Sequence, residues 1–341
     1  MRSKVFFING GAGRVIASIP ALEKYAETHD DFVIVAEGGM NFFKGHPVLD
    51  KFAYDHWHKN LFEDKIKHRD CMTPEPYRRW HYYNQKCNIA QAYDMEINGL
   101  DEPRELDVPK IKLSKTEAIN AINLVEQVKA KTKKDKVIVV QPFGRGAEVQ
   151  GEYIIDQSSR SFHQREIVEI INNLRKDYAV IIMSEFQFVV DPPDSNQIPC
   201  AWPQADIRVW AGIIECADHF LGCDSVGQHI AKSVGTTVTT VIGATFPENI
   251  SYPDDPNFDI IDIGKGKRVF QPIRLTAEDY QDMMNDECMK MSGENVKEVI
   301  TSCRKRLGKS KAYSGNLKLE EEQQPSKCCD NTPQLNRGFG K

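Results

Sequence analysis

The sequence predicts an α/β protein of two Rossmann-like, doubly wound domains that face a central cleft, followed by a disordered C-terminal tail. Three observations lead there. Short apolar runs at residues 5–8, 32–36, 137–140, 179–183 and 237–242 read as buried parallel strands. Turn residues and helical patterns alternate with them. The same strand–turn–helix grammar starts twice, near residue 5 and again near residue 137.

In the first half, strand 5–8 runs into Gly10-Gly11-Ala12-Gly13 and a helix reaching about His29. Strand 32–36 follows and closes on Glu37-Gly38-Gly39, completing a βαβ unit. Residues 51–99 read as irregular, rich in aromatics, His and Lys/Arg. Residues 114–132 carry Ala118, Ile119, Ala121, Ile122, Leu124, Val125 and Val128 at helical spacing. The basic run 129–136 suits a linker.

The second half begins with strand 137–140 and the turn Gln141-Pro142-Phe143-Gly144-Arg145-Gly146. A helix is expected near 164–176, a strand at 179–183, a helix near 207–216, a strand at 219–221, a short helix from Ser225 and a strand at 237–242. The expected domains are therefore 1–130 and 131–309. The stretch 310–341 turns polar at Glu320-Glu321-Glu322-Gln323-Gln324-Pro325 and is expected to be disordered. Two doubly wound halves place a ligand cleft at the carboxyl ends of their strands.

With 341 residues and 40% hydrophobic content, the chain can bury two cores. A formal net charge of -5 argues against a surface coated for nonspecific nucleic-acid binding, though a local basic cleft fits within it. Met1-Arg2-Ser3-Lys4 leads straight into Val5-Phe6-Phe7-Ile8, too short for a signal core or a membrane span, so a cytoplasmic location is expected. The nine cysteines show no C-x-x-C spacing, which fits reduced thiols rather than a zinc site.

The segment Leu221-Gly222-Cys223-Asp224-Ser225 ends a strand and starts a helix, with Asp224 and Ser225 both suited to cap it. Amides of that first turn, aided by the helix dipole, suit a diphosphate. His229 lies one turn on, on the side of Ser225. An ordinary capped helix with a partly buried histidine has the same letters. The next strand ends at Gly243-Ala244-Thr245-Phe246-Pro247, a second small and hydroxylated loop that can stand beside the first as a phosphate and ribose wall.

Taken in order, these segments resemble glycosyltransferase family 9, the ADP-heptose:lipopolysaccharide heptosyltransferases and their relatives. Gly13-Arg14 through Pro20-Ala21-Leu22 resembles that family's G-D-x-x-x-x-x-P-A-L segment. Gly45-His46-Pro47-Val48-Leu49-Asp50 resembles its N-P-x-(I/V)-D stretch, and Asp107-Val108-Pro109 through Leu113-Ser114 its interdomain run. Ser159-Arg160-Ser161-Phe162 stands where the family has a basic donor site, and Met183-Ser184-Glu185 where it has a glutamate near the donor. Asp224-Ser225 with His229 resembles D-(T/S)-x-x-x-H, and Gly243 to Pro247 resembles G-x-T-x-P. The resemblance covers roughly residues 4–255.

It implies a GT-B fold, an inverting transfer, a nucleotide-diphosphate sugar as co-substrate on the second domain and an acceptor on the first. It implies no cofactor and no metal, and no D-x-D-like pair stands in a convincing setting. The expected donor-binding residues are Gly11, Gly13, Arg14, Arg145, Arg160, Glu185, Asp224, Ser225, His229 and Thr245. Two departures stand out. The family's expected base is the Asp of its G-D pair, and Arg14 replaces it here; an arginine cannot serve as a base at neutral pH. The glycine expected two residues after Asp224 is Val226, with Gly227 one place later.

Candidate bases are Glu37 and Asp55, each following an apolar stretch, and His81 in the aromatic segment. The acceptor segment is expected within 56–86, with Tyr77, Arg78 and Trp80 as binding residues, because aromatic faces stack on sugars or bases and cations bind phosphate. The same segment can equally be a loop with its aromatics packed inward. A glycan or other hydroxyl acceptor is expected; nucleic acid with hydroxylated bases is possible but not favoured, given the acidic total charge. Two other readings exist. Gly11-Ala12-Gly13 with Glu37 resembles an NAD(P)-binding fingerprint of an oxidoreductase, but Ile16 takes the third glycine position and Pro20 falls inside the helix. The missing Asp at position 14 also suits a GT-B scaffold that binds a nucleotide sugar without transferring it.

Overall fold

A computed structural model describes residues 2–151, 153–156, 158–190, 197–199, 206–268 and 287–315. The elements in chain order are β1 (Lys4–Ile8), α1 (Ala12–Ala26), β2 (Phe32–Ala36), β3 (Ala53–Asp55), β4 (Asp70–Met72), α2 (Trp80–Tyr83), α3 (Ile89–Asn98), α4 (Lys115–Thr132), β5 (Val137–Gln141), β6 (Ala147–Gln150), β7 (Tyr153–Asp156), α5 (Gln164–Leu174), β8 (Ala179–Ser184), β9 (Gln197–Pro199), α6 (Ile207–Cys216), β10 (His219–Cys223), α7 (Val226–Val234), β11 (Val238–Ile242), α8 (Pro247–Ile250), β12 (Phe258–Asp262) and α9 (Gly293–Leu307).

The strands form two parallel sheets and one antiparallel hairpin. The first sheet has the order β3-β2-β1-β4, the second β12-β11-β10-β5-β8-β9, and β6 pairs with β7. In the first sheet the chain moves outward from β1 to β2 and β3, then returns to the other side of β1 as β4. The crevice between β1 and β4 is therefore its topological switch point. The same reasoning puts the second sheet's switch point between β5 and β10. Ligands bind at such crevices because the outgoing loops diverge there.

Strands β2, β5, β8, β10 and β11 are buried along their whole length, as continuous apolar runs demand. α1 continues through Pro20 and remains a 15-residue helix. Pro20, weighed against an unbroken dinucleotide-type helix, does not break α1. Val15, Ile16, Ile19 and Leu22 are fully buried and anchor the helix on both sides of the proline, offsetting its missing donor. Residues 51–99, expected to be irregular, contain β3, β4, α2 and α3. α3 is closed by an Asn88–Gln91 capping box and by Gly99 at its C-terminus.

α4 packs against α6 of the second lobe rather than against the first, although the boundary expected at 130 assigns it to the first. The link between lobes is the polar stretch that precedes α4. One side chain ties this region together. Arg208 on α6 is 2% exposed. It donates to both Glu117 carboxylate oxygens (2.5 and 2.8 Å), to the carbonyls of Asn41 (2.9 Å) and Lys44 (3.2 Å) in the first lobe, and to Lys112 O (2.7 Å). An arginine has five N–H donors, and all five are used.

The first residues of the expected tail are held. Asp135 accepts from Ser310 Oγ at 2.9 Å and from Lys311 N at 2.6 Å, and Tyr313 donates to Glu126 at 2.6 Å. These bonds outweigh the polar composition that suggested disorder from 310 onward. The rest of that tail, with Cys328 and Cys329, and also Cys200, lie outside the described residues. Among the described residues no helix is long and apolar enough to cross a membrane.

Candidate functional site

The two switch points face each other. A Cβ built on Gly13, in the first turn of α1, would lie 3.2 Å from His229 Cδ2 and 3.7 Å from Val226 Cα on α7. One built on Gly11 would lie 3.8 Å from an Arg145 guanidinium nitrogen. Gly11, Gly13, Arg145, Ser225 and His229, all expected to bind donor, therefore stand together where the lobes meet.

On the second lobe Asp224 follows β10 and is 5% exposed. Its carboxylate accepts from Thr245 Oγ1 (2.9 Å) and Gln228 Nε2 (3.3 Å) and lies 3.8 Å from an Arg160 nitrogen. The ends of β10 and β11 thus touch through Asp224 and Thr245, as neighbouring parallel strands require. Arg160 also donates to Ser158 Oγ at 3.0 Å. Asp156, at the foot of the β6–β7 hairpin, shapes this turn by accepting from the Ser158 and Ser161 amides at 2.7 and 2.9 Å. Burial works against the charge on Arg160, but Asp224 and Asp156 outweigh it and raise its pKa. Its guanidinium is a permanent cation at the cleft.

The expected caps at α7 are arranged differently. Ser225 holds the N-cap position without a side-chain cap bond. Its Oγ instead accepts from Gln141 Nε2 at 3.2 Å, while Gln141 Oε1 accepts from the Gly227 amide at 2.9 Å. Asp224 caps nothing, since its carboxylate is committed to Thr245, Gln228 and Arg160. Gln141, at the end of β5, does the capping across the switch point. Sequence reading missed it because a cap is normally sought next to its helix in the chain.

His229 is 7% exposed, and its Nδ1 pairs with Tyr252 Oη at 2.8 Å. Burial pushes its pKa down to about 4, so the ring is neutral at pH 7 and adds no charge to a phosphate site. Burial likewise pushes His219 down to about 3. Both values lie below the unfolded 6.5, so between them and 6.5 the unfolded chain binds more protons than the folded one. Their contribution is complete above pH 6.5 and is lost as pH falls below it. The urea midpoint is expected to drop between pH 7 and 5, with His229→Gln removing part of the slope. A midpoint constant over that window would contradict this placement of the two rings.

Glu185 follows β8. Desolvation pushes its carboxyl up and the charge of Arg145 opposes the rise, which puts these two expected donor residues within each other's field.

On the first lobe, Arg14 is turned into its own domain. Its Nε donates to Tyr93 Oη at 2.9 Å, its guanidinium lies 4.9 Å from the Tyr77 ring centre, and one terminal nitrogen is 3.6 Å from Glu75 Oε2. Burial would lower its pKa, but Tyr77, Tyr93 and Glu75 raise it. Of the candidate bases, Glu37 accepts the Gly10 amide at 2.8 Å, which in the oxidoreductase reading would have to be a ribose contact. Asp55 ends the outer strand β3 and accepts the Trp57 amide at 2.8 Å. His81 pairs with Glu102 at 3.1 Å. In the aromatic segment Trp80 and Trp57 are exposed, Arg78 is exposed, and Tyr77 is half-buried beside Arg14. The segment is docked to the second lobe by Asn249, whose amide donates to Tyr82 O and Cys87 O at 2.8 and 3.0 Å.

Two Rossmann-like lobes with opposed switch points and a cleft between them make this a GT-B fold. Solved structures similar to the chain have that fold too. A glycosyl transferase family 9 protein from Veillonella parvula matches with a TM-score of 0.57 at 10% identity, covering 90% of this chain and 97% of its own. E. coli ADP-heptose lipopolysaccharide heptosyltransferase II matches at 0.50 and 10% identity, covering 89% and 99%. The iron-containing dodecameric glycosyltransferase TibC from enterotoxigenic E. coli matches at 0.52 and 13% identity, covering 89% and 78%. No protein-family model matches the sequence, and no curated protein matches it.

Proposed function

We propose that the chain is an inverting, metal-independent glycosyltransferase. The second lobe binds a nucleoside-diphosphate sugar and the first lobe presents an acceptor hydroxyl, of a glycan or a related molecule, near Tyr77, Arg78 and Trp80. The observation that carries this reading is the opposition of the Arg160–Asp224–Thr245 cluster and Arg145 to the glycine turn of α1. Arg160 and Arg145 supply fixed positive charge where a leaving diphosphate gains negative charge. Asp224 keeps Arg160 in place, and the first turn of α7 adds amide dipoles. The similarity to solved glycosyltransferases supports the same reaction class. Arg14 in place of the family Asp favours a second reading, a scaffold that binds the nucleotide sugar and does not transfer it.

The experiment is a thermal-shift screen against UDP-, ADP- and GDP-sugars. A donor at a hundred times its Kd stabilises the folded state by about 2.7 kcal/mol, an easily read rise in Tm. Asp224→Ala removes the acceptor of Thr245 and Gln228 and a carboxylate beside Arg160; hydrogen bonds to charged groups contribute about 1.5–3 kcal/mol, so donor affinity is expected to fall about tenfold to a hundredfold. Asp224→Asn, nearly isosteric, keeps the result interpretable if the alanine variant folds poorly. No shift with any of these sugars would overturn the reading.

A further inference from the structure

Glu75 is the carboxylate at the first lobe's own switch point. It follows β4, the strand beside β1, and so stands in the β1/β4 crevice across from Gly10 and Arg14. Its Oε1 accepts from Asn9 Nδ2 at 3.4 Å and its Oε2 lies 3.6 Å from the Arg14 guanidinium. Asn9 and Arg14 come from the end of β1 and the start of α1, so both carboxylate oxygens are aimed by rigid elements. The side chain keeps 29% exposure, while that of Arg14 is reduced to 11%. The carboxylate is reachable and its cation is not.

The Arg14 nitrogen nearest Glu75 is buried and has no hydrogen-bond partner. At 3.6 Å it is an ion-pair contact with room to shorten. The other side of Arg14 is fixed by Tyr93 and Tyr77. Tyr77 also lies within the field of Arg160 on the second lobe, and Gly13, next to Arg14, abuts His229. Glu75 is thereby a first-lobe carboxylate tied, through Arg14, into the contact between lobes. Asp55 is at the far edge of the sheet, and Glu37 is engaged by its own glycine turn.

We infer that Glu75 is the general base of the transfer and that Arg14 is its positioning residue, a pairing that replaces a base at position 14. The inference rests on the transferase reading. In the step, the acceptor oxygen forms a bond to the anomeric carbon while the bond from that carbon to the diphosphate oxygen breaks. The electron pair leaves with the nucleoside diphosphate, and the hydroxyl proton passes to Glu75. Arg14 stays protonated throughout and orients the carboxylate. Among the described residues, Tyr93 and Glu96 on α3 also lie within the field of Glu75, with Glu96 paired to Arg79 at 3.4 Å.

The test uses the full chain, the same panel of UDP-, ADP- and GDP-sugars, and water as acceptor, reading release of nucleoside diphosphate alongside the thermal shift. Glu75→Gln is expected to reduce release about a hundredfold or more, the range of lost general-base catalysis, with the donor-induced shift unchanged. Glu75→Asp is expected to recover part of the rate. Arg14→Met is expected to lower release while the donor-induced shift stays unchanged, and Arg14→Lys is expected to recover part of the rate by restoring a cation beside the carboxylate; a purely structural role would show no such rescue. If wild type releases nucleotide and Glu75→Gln stays within about threefold of it, the inference is overturned and the transferase reading stands. If wild type shows a shift but no release, the chain is a binder and the base assignment is wrong. If wild type shows neither, the transferase reading itself has failed, and this inference with it.

Discussion

Replacing Arg208 by methionine is expected to cost about 3–5 kcal/mol of stability, the range for removing one partner of a buried ion pair. Methionine approximates the stem's volume but leaves the Asn41, Lys44 and Lys112 carbonyls without the donors they have now, and Glu117 with only the Ser114 amide. Because those acceptors come from the first lobe, the linker and α4, the loss should appear as looser coupling of the lobes as well as a lower urea midpoint. The double variant Arg208→Met/Glu117→Leu is expected to be more stable than Arg208→Met, since it also removes the carboxylate left without its cation. A single-variant loss under about 1 kcal/mol, the size expected of an exposed pair, would rule this out. The pH dependence follows the same bond. Arg208, aided by the Ser114 cap, holds the Glu117 carboxyl down at about 2, against 4.5 for the free group. A depressed carboxyl stabilises above its unfolded pKa, so this contribution is full above pH 4.5 and is lost as pH falls towards 2. That limb should shrink in Arg208→Met, where only the Ser114 cap still lowers the carboxyl, and it overlaps the histidine window only below pH 4.5.

The second large effect is expected at Gly227. An added Cβ would sit 2.2 Å from Gln141 Oε1 and 2.3 Å from Phe220 Cζ. Phe220 is fully buried on β10 and cannot yield. Gln141 can move only by releasing the Gly227 amide and Ser225, which orders the start of α7. Gly227→Ala is expected to destabilise the fold by about 1–3 kcal/mol through overpacking and to weaken donor binding further than the stability loss explains. Gly293→Ala serves as the control, because a Cβ there meets nothing within 4 Å. Equal effects of the two substitutions would show that the close approach at Gly227 has no consequence. The glycine shift noted in the sequence, Val226 before Gly227, thereby has a physical cause: the second position of α7 is the one pressed onto the sheet.

How much could be read beforehand divides by the range of the forces involved. Strands β1, β2, β5, β8 and β11 were legible because a strand buried on both faces must be apolar along its length. α4, α5 and α6 were legible from their helical spacing. β4 was not, since Asp70-Cys71-Met72 is short and largely exposed and is held by pairing to β1 rather than by its own pattern. Glu75 went unnoticed for the same reason, as nothing marks the loop after an unrecognised strand. α3 carried a readable signal, Asn88 three residues before Gln91 with Gly99 at the end, that the surrounding aromatics and charges obscured.

Local chemistry written in the chain, such as apolar runs, turn glycines and the order of Asp224, Ser225, His229 and Thr245, determined two α/β lobes and where each one's ligand loops fall. Only the tertiary structure decided which groups those loops bring together: Gln141 as the cap of α7, Arg208 as the tie between lobes, and Arg14 beside Glu75. Strand order is set by packing between segments distant in sequence, and no periodicity along the chain records which carboxylate a buried arginine will meet.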